Sequence, residues 1–313
     1  MGRRMRSKKA IIISLSVVIV VVVLVLFVFR PLGRPPADRI AVVSLSGTIT
    51  FQGASLFSDA AITPDLVRSY LSRAESDEAV KAIVIRVNSP GGTVTACQEI
   101  LEEIERVREK IPVVAVMENM AASGGYYIST GADRIVASPV AMTGSIGVIS
   151  QVVNVEGLYE KLGVSVQTFK GGRYKDMYSG LRELTQEEEE IMQRLVDEYY
   201  EHFVGVVAAG RGLSREETRE LATGQLYTGA EAYRLGLVDE LGGLDTALDV
   251  ALGLAGLESA WVEYYRLPRR PVWSLLWFGD ALRMRLWGFS AEDMMLLEIL
   301  SQSYPQPRFL YQG

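Results

Sequence analysis

Residues 81–127 read KAIVIRVNSPGGTVTACQEILEEIERVREKIPVVAVMENMAASGGYY. The stretch holds two units of the same design. Residues 81–87 form an apolar strand, Asn88-Ser89-Pro90-Gly91-Gly92 a tight turn, and a helix follows to Lys110. A second strand at 112–117 leads into a Gly/Ala/Ser segment and a helix at 124–131. Strands that are apolar throughout and alternate with helices indicate a parallel sheet covered on both faces. Two glycine turns at the same end of neighbouring strands would frame one crevice between them.

The same alternation extends outward. Residues 39–46 (RIAVVSLS) are a strand, and Thr63-Pro64 opens a helix with proline in its first turn. Downstream, strands are expected at 134–137, 145–149 and 165–169, with a short helix at 157–162. From Thr185 the character changes. Thr185-Gln186-Glu187-Glu188 fits a capping box, and Ile191, Leu195, Tyr199, Phe203 and Val207 mark one long amphipathic helix. Further helices are expected at 214–222 and 229–235. The fold class is α/β with a largely parallel sheet and a helical C-terminal part; no fixed repeat length is visible.

The chain of 313 residues is long enough for a substantial core. Its single cysteine, Cys97, excludes an intramolecular disulfide framework, and its single histidine, His202, excludes a two-histidine metal motif. No metal or cofactor is expected. Residues 1–30 carry six basic side chains and no acidic one, so the remainder holds 26 basic and 38 acidic groups, a net of −12. A body that acidic is unsuited to nucleic acid. Residues 10–29 (AIIISLSVVIVVVVLVLFVF) contain no charge and match the span of a bilayer. The basic flank ahead of them predicts a single-pass anchor in the cell membrane, N-terminus cytoplasmic and body extracytoplasmic. The resulting division is a basic tail at 1–9, an anchor at 10–29, a linker at 30–38, a catalytic domain at 39–255 and an extension at 256–313. That extension is apolar and aromatic (Trp273, Leu275, Leu276, Trp277, Phe278, Trp287), which suits a subunit contact.

Ser123, between a strand and a helix start and flanked by small residues, is placed where helix N–H groups favour developing negative charge. Read alone, it is equally an ordinary helix cap. Backbone N–H groups of Gly91 and Gly92 could cradle an oxyanion, or simply turn the chain. His202 lies inside the long helix, poorly placed as a base. Lysine is the other activator of a serine, and five follow the anchor: Lys81, Lys110, Lys161, Lys170 and Lys175. Lys170 and Lys175 bracket a glycine-rich turn able to project a side chain into a crevice, and residue chemistry leaves the choice between them open.

At these residues the sequence resembles the signal peptide peptidase A family, membrane-anchored serine proteases of the ClpP/crotonase-like fold built from repeated β-β-α units. The resemblance rests on N-S-P-G-G at 88–92, M-A-A-S-G-G-Y-Y at 120–127, T-G-S-I-G at 143–147 and G-R-Y-K-D at 172–176. It implies Ser123 as nucleophile, Lys175 as general base, oxyanion donors among Gly91, Gly92 and Gly124, and Ser145 positioning the lysine. It also implies homo-oligomeric rings whose subunits complete one another's clefts, with remnants of signal peptides and other short apolar peptides as substrates. Two other readings compete. One is a crotonase-like acyl-CoA enzyme, against which the anchor and the Ser/Lys pair argue. The other is a catalytically inactive membrane scaffold.

Overall fold

A computed structural model describes residues 38–52 and 61–265, and the backbone of 308–310. The expected anchor at 10–29, the tail at 1–9, nearly all of the linker and the aromatic residues 273–287 lie outside the described residues. Among the described residues no helix is long and apolar enough to cross a membrane.

In chain order, β1 (Arg39–Ser46), β2 (Thr48–Ile49) and β3 (Ala61–Ile62) lead to α1 (Pro64–Glu75). Next come β4 (Val80–Ser89), β5 (Gly91–Thr93) and α2 (Val94–Arg108), then β6 (Val113–Ala122) and α3 (Gly124–Ser129). After these come β7 (Arg134–Ala137), β8 (Met142–Gly144), α4 (Glu156–Lys161), α5 (Gln186–Arg211) and α6 (Arg215–Leu221). The last elements are β9 (Leu226–Thr228), α7 (Gly229–Arg234), β10 (Glu240–Leu241), α8 (Leu244–Ala255), β11 (Trp261–Tyr265) and β12 (Arg308–Leu310).

The main sheet runs β10-β7-β6-β4-β1-β11 with every neighbouring pair parallel. A small second sheet runs β12-β5-β2-β3. Strand β4 feeds β5 of the small sheet before α2 begins, the expected β-β-α unit, and β1 feeds β2 and β3 of that sheet before α1. The side chains explain why the strands read as continuously apolar. Ile40, Val42, Ala82, Val84, Val114, Val116 and Val136 pack on one face with Ala247 and Ala251 of α8. Their alternates, among them Val43, Ile85, Ala115 and Ile135, pack on the other with α1, α2, α3 and α5. With both faces buried, a period of two becomes invisible in the sequence.

Three expectations change. The strand expected at 145–149 is instead Met142–Gly144, because Gly144 and Ser145 both take positive φ and end the extended backbone there. Residues 165–169, expected as a strand, pair with no sheet edge and form no strand; Phe169 stands 92% exposed. Trp261–Tyr265, placed by sequence in the C-terminal extension, is the edge strand beside β1. The long helix is as expected: Thr185 and Glu188 complete the capping box in both directions, and Phe203 and Val207 are buried.

Candidate active site

Strand β6 ends at Ala122, whose register partner on β8 is Gly144. The next residue on each strand is a serine. Ser123 N–H donates to Gly144 O at 2.8 Å, and Ser145 N–H donates to Gln225 O at 2.7 Å. Ser123 has φ 53° and ψ −118°, and Ser145 has φ 49°. Among the described residues these two alone hold positive φ without being glycine. A sparsely populated conformation of this kind costs on the order of 1–3 kcal/mol. It persists only where the surroundings impose it.

Ser123 is 1% exposed, and among the described residues its Oγ has no hydrogen-bond partner. It therefore does not cap the helix that follows it. A buried hydroxyl left without a partner on a strained backbone does nothing for stability, which is the pattern of a group kept for chemistry.

The two glycine turns lie side by side. A Cβ added to Gly124 would lie 3.1 Å from Gly92 N and 3.2 Å from Gly91 Cα, so the two turns touch beside Ser123. The same Cβ would fall 2.5 Å from Cys97 Sγ. Gly91 takes φ 108°, and its N–H donates to Ser89 Oγ at 3.1 Å. Cys97 is fully buried, and burial pushes its thiol well above the ordinary range, which leaves it inert packing under the turns. The backbone of β12 pairs antiparallel along β5, with Phe309 opposite Gly92.

Lys175 is not brought to Ser123. Its side chain is exposed, and among the described residues it makes no hydrogen bond or ion pair with Ser123 or Ser145; its N–H donates to Gly172 O at 3.3 Å. Lys170 is committed elsewhere, through an ion pair with Asp176 at 2.6 Å. Arg182 bridges Asp176 (2.7 Å) and Glu188 (2.6 Å), and Glu188 in turn accepts from Thr185 N–H at the helix start. Arg182, and after it Lys170, holds the Asp176 carboxyl far below the usual carboxylate range. Arg182 with the Thr185 N–H brings Glu188 down to about 2. His202 is occupied as well: its Nε2 sits 3.0 Å from both Tyr127 Oη and Gln98 Oε1. The clamp around Asp176 escaped the sequence reading, although K-D at 175–176, Arg182 and the capping-box glutamate were all visible in it.

The model of peptidase family S49 matches residues 105–258, and that of Clp protease matches residues 56–152. A protease homologue of Methanocaldococcus jannaschii is 38% identical over 233 residues, 74% of this chain and 75% of its own length. The chain belongs to peptidase family S49. It is also 48% identical over 182 residues to a protease homologue of Synechocystis sp., covering 58% of this chain and 66% of that protein. A signal peptide peptidase SppA homologue of Enterococcus faecium is 41% identical over 213 residues, 67% of this chain and 62% of the relative. The chain thus spans somewhat under two thirds of these last two relatives. The largely parallel sheet with its small second sheet is the Clp-like fold that the second match describes.

Proposed function

We propose that this protein is a serine endopeptidase in which Ser123 is the nucleophile and Lys175 the general base. The observation that carries the reading is Ser123 itself, a buried hydroxyl without a partner among the described residues, on a strained backbone beside the packed glycine turns. Ser123 Oγ attacks the scissile carbonyl carbon as its proton passes to neutral Lys175 Nζ. The carbonyl oxygen becomes an oxyanion facing backbone N–H groups. Because the Gly91 N–H is already bonded to Ser89 Oγ, Gly92 and Gly124 are the favoured donors. Lys175 then protonates the leaving amine, and water releases the acyl group by the same steps in reverse. Ser145, one register position beyond Gly144, would hold the lysine amine through its hydroxyl.

A peptide substrate fits the edge of β5. That edge takes an extended antiparallel backbone, as β12 demonstrates, and strand addition is a general way of holding peptides. The base must be neutral to accept a proton, which calls for burial. In one copy of the chain Lys175 is exposed, and so are Leu158, Leu162, Val166 and Phe169 on the segment before it. A second copy covering this segment would bury the lysine and complete the cleft, so the active unit is a homo-oligomer. Residues 10–29 anchor it to the membrane with the body extracytoplasmic, where signal-peptide remnants and other short apolar peptides would reach it.

The test is hydrolysis of a fluorogenic apolar peptide by the full chain in detergent. Ser123→Ala and Lys175→Ala should each abolish turnover, and mixing the two inactive variants under exchanging conditions should restore part of it. Retained activity in Ser123→Ala would refute the reading; no recovery on mixing would confine the dyad to one chain.

A further inference from the structure

The loop that carries Lys175 is tied down by charges that no step of the reaction uses. Asp176 accepts from Lys170 Nζ at 2.6 Å and from Arg182 Nε and Nη2 at 3.1 and 2.7 Å. Arg182 also donates to both Glu188 oxygens, at 2.8 and 2.6 Å, and Glu188 is fixed by Thr185 at the start of α5. The lysine next to Asp176 is therefore strapped to the first turn of a long, well-capped helix. A second pair lies beside the clamp, and Glu183 and Glu189 flank it. Arg173 pairs with Glu187 at 2.5 Å, and Tyr174 Oη also donates to Glu187.

We propose that Asp176, Arg182 and Glu188 form a clamp that positions Lys175, and that Lys170 balances its charge so that the base does not sit beside an uncompensated carboxylate. This rests on Lys175 being the general base. Two consequences follow from geometry and charge. The clamp gives the 170–182 turn one shape, since a bidentate guanidinium between two carboxylates has a fixed fork. Asp176 and Glu188 carry two negative charges and Lys170 and Arg182 two positive ones. A lone carboxylate beside an amine favours its ammonium form, whereas a neutralised one does not. The pairing of Lys170 with Asp176 thus accounts for the other lysine of the turn, whose counter-charge lets Lys175 act.

The experiment follows kcat/KM against pH for the full chain on one fluorogenic peptide. Lys170→Gln should move the rising limb to higher pH by about half a unit or more, and Asp176→Asn should move it to lower pH. Lys170→Arg should restore the original limb. Arg182→Lys, which keeps the charge but not the fork, should lower kcat about tenfold or more with little change in KM. Thermal melts of each variant establish that it is folded, and Lys170 is exposed enough for its substitutions to be tolerated. Limbs that stay in place, or that move the same way in Lys170→Gln and Asp176→Asn, would overturn the clamp while leaving the dyad standing. Full activity in Lys175→Ala would remove the dyad and the clamp's purpose together.

Discussion

Gly124→Ala is the substitution whose consequences the packing around Ser123 defines most fully. The new Cβ would meet Cys97 Sγ at 2.5 Å, more than an ångström inside van der Waals contact, with Gly92 N at 3.1 Å and Gly91 Cα at 3.2 Å behind it. Overpacking of this kind costs about 1–3 kcal/mol. The loss of chain freedom on going from glycine to alanine returns roughly 0.4–1 kcal/mol. The net expectation is a destabilisation of about 1–2 kcal/mol. Cys97→Ala removes the sulfur and by itself leaves a small void, costing about 1 kcal/mol. In the double variant the worst contact is gone, so the two effects should fall short of additivity by about 1 kcal/mol. Urea unfolding of the four proteins in the cycle measures this. Activity should behave differently. The contacts with Gly91 and Gly92 are to backbone and remain, so the Gly124 N–H stays displaced and kcat should fall by about 10²-fold or more in both Gly124→Ala and the double variant. Strict additivity of stability, or wild-type kcat in Gly124→Ala, would refute the packing on which the oxyanion assignment rests.

Other expectations follow from single contacts. Glu188 lies at about 2 in the folded chain against an ordinary 4.5, so its contribution is complete above about 4.5 and is lost as pH falls through about 2. Glu188→Gln should flatten the acid limb of thermal stability over that range. His202→Ala should keep turnover, because among the described residues its ring bonds only Tyr127 and Gln98, and should cost no more than about 1 kcal/mol; loss of activity in a folded variant would return histidine to the mechanism. Thr143→Val removes a buried bond from Oγ1 to Ala121 O at 2.8 Å, which ties β8 to β6 beneath Ser145, and should cost about 1–3 kcal/mol by denaturant unfolding. Deleting residues 308–313 should uncover the β5 edge and lower KM for short peptides; an unchanged KM would mean that peptides do not use that edge.

Much of the fold was legible because its signals are local. The apolar runs at 39–46 and 134–137 became strands over those residues, and the T-x-x-E box placed the start of the long helix. The failures arose where tertiary context decides. Residues 145–149 are as apolar as a strand, but positive φ at Gly144 and Ser145 is a property of the site rather than of the local pattern. Residues 165–169 hold β-branched and aromatic side chains suited to a strand but find no edge to join. Helix α8 was not among the expected elements; its Ala247 and Ala251 cover the far face of the sheet. At the site, Ser123 and the glycine turns stood out through their motifs, whereas the unpartnered state of the hydroxyl and the Asp176–Arg182–Glu188 clamp depend on long-range placement. Residue chemistry left Lys170 and Lys175 equal; the ion pair of Lys170 with Asp176 is a long-range placement of the same kind.

The central claim is that Ser123 is a nucleophile activated by Lys175. Treatment of the full chain with a fluorophosphonate, followed by peptide mass mapping, tests it most directly. The account predicts one adduct per chain, on Ser123, absent in Ser123→Ala and formed at least about a hundredfold more slowly in Lys175→Ala. An adduct on any other residue, or labelling at the wild-type rate in Lys175→Ala, would contradict it.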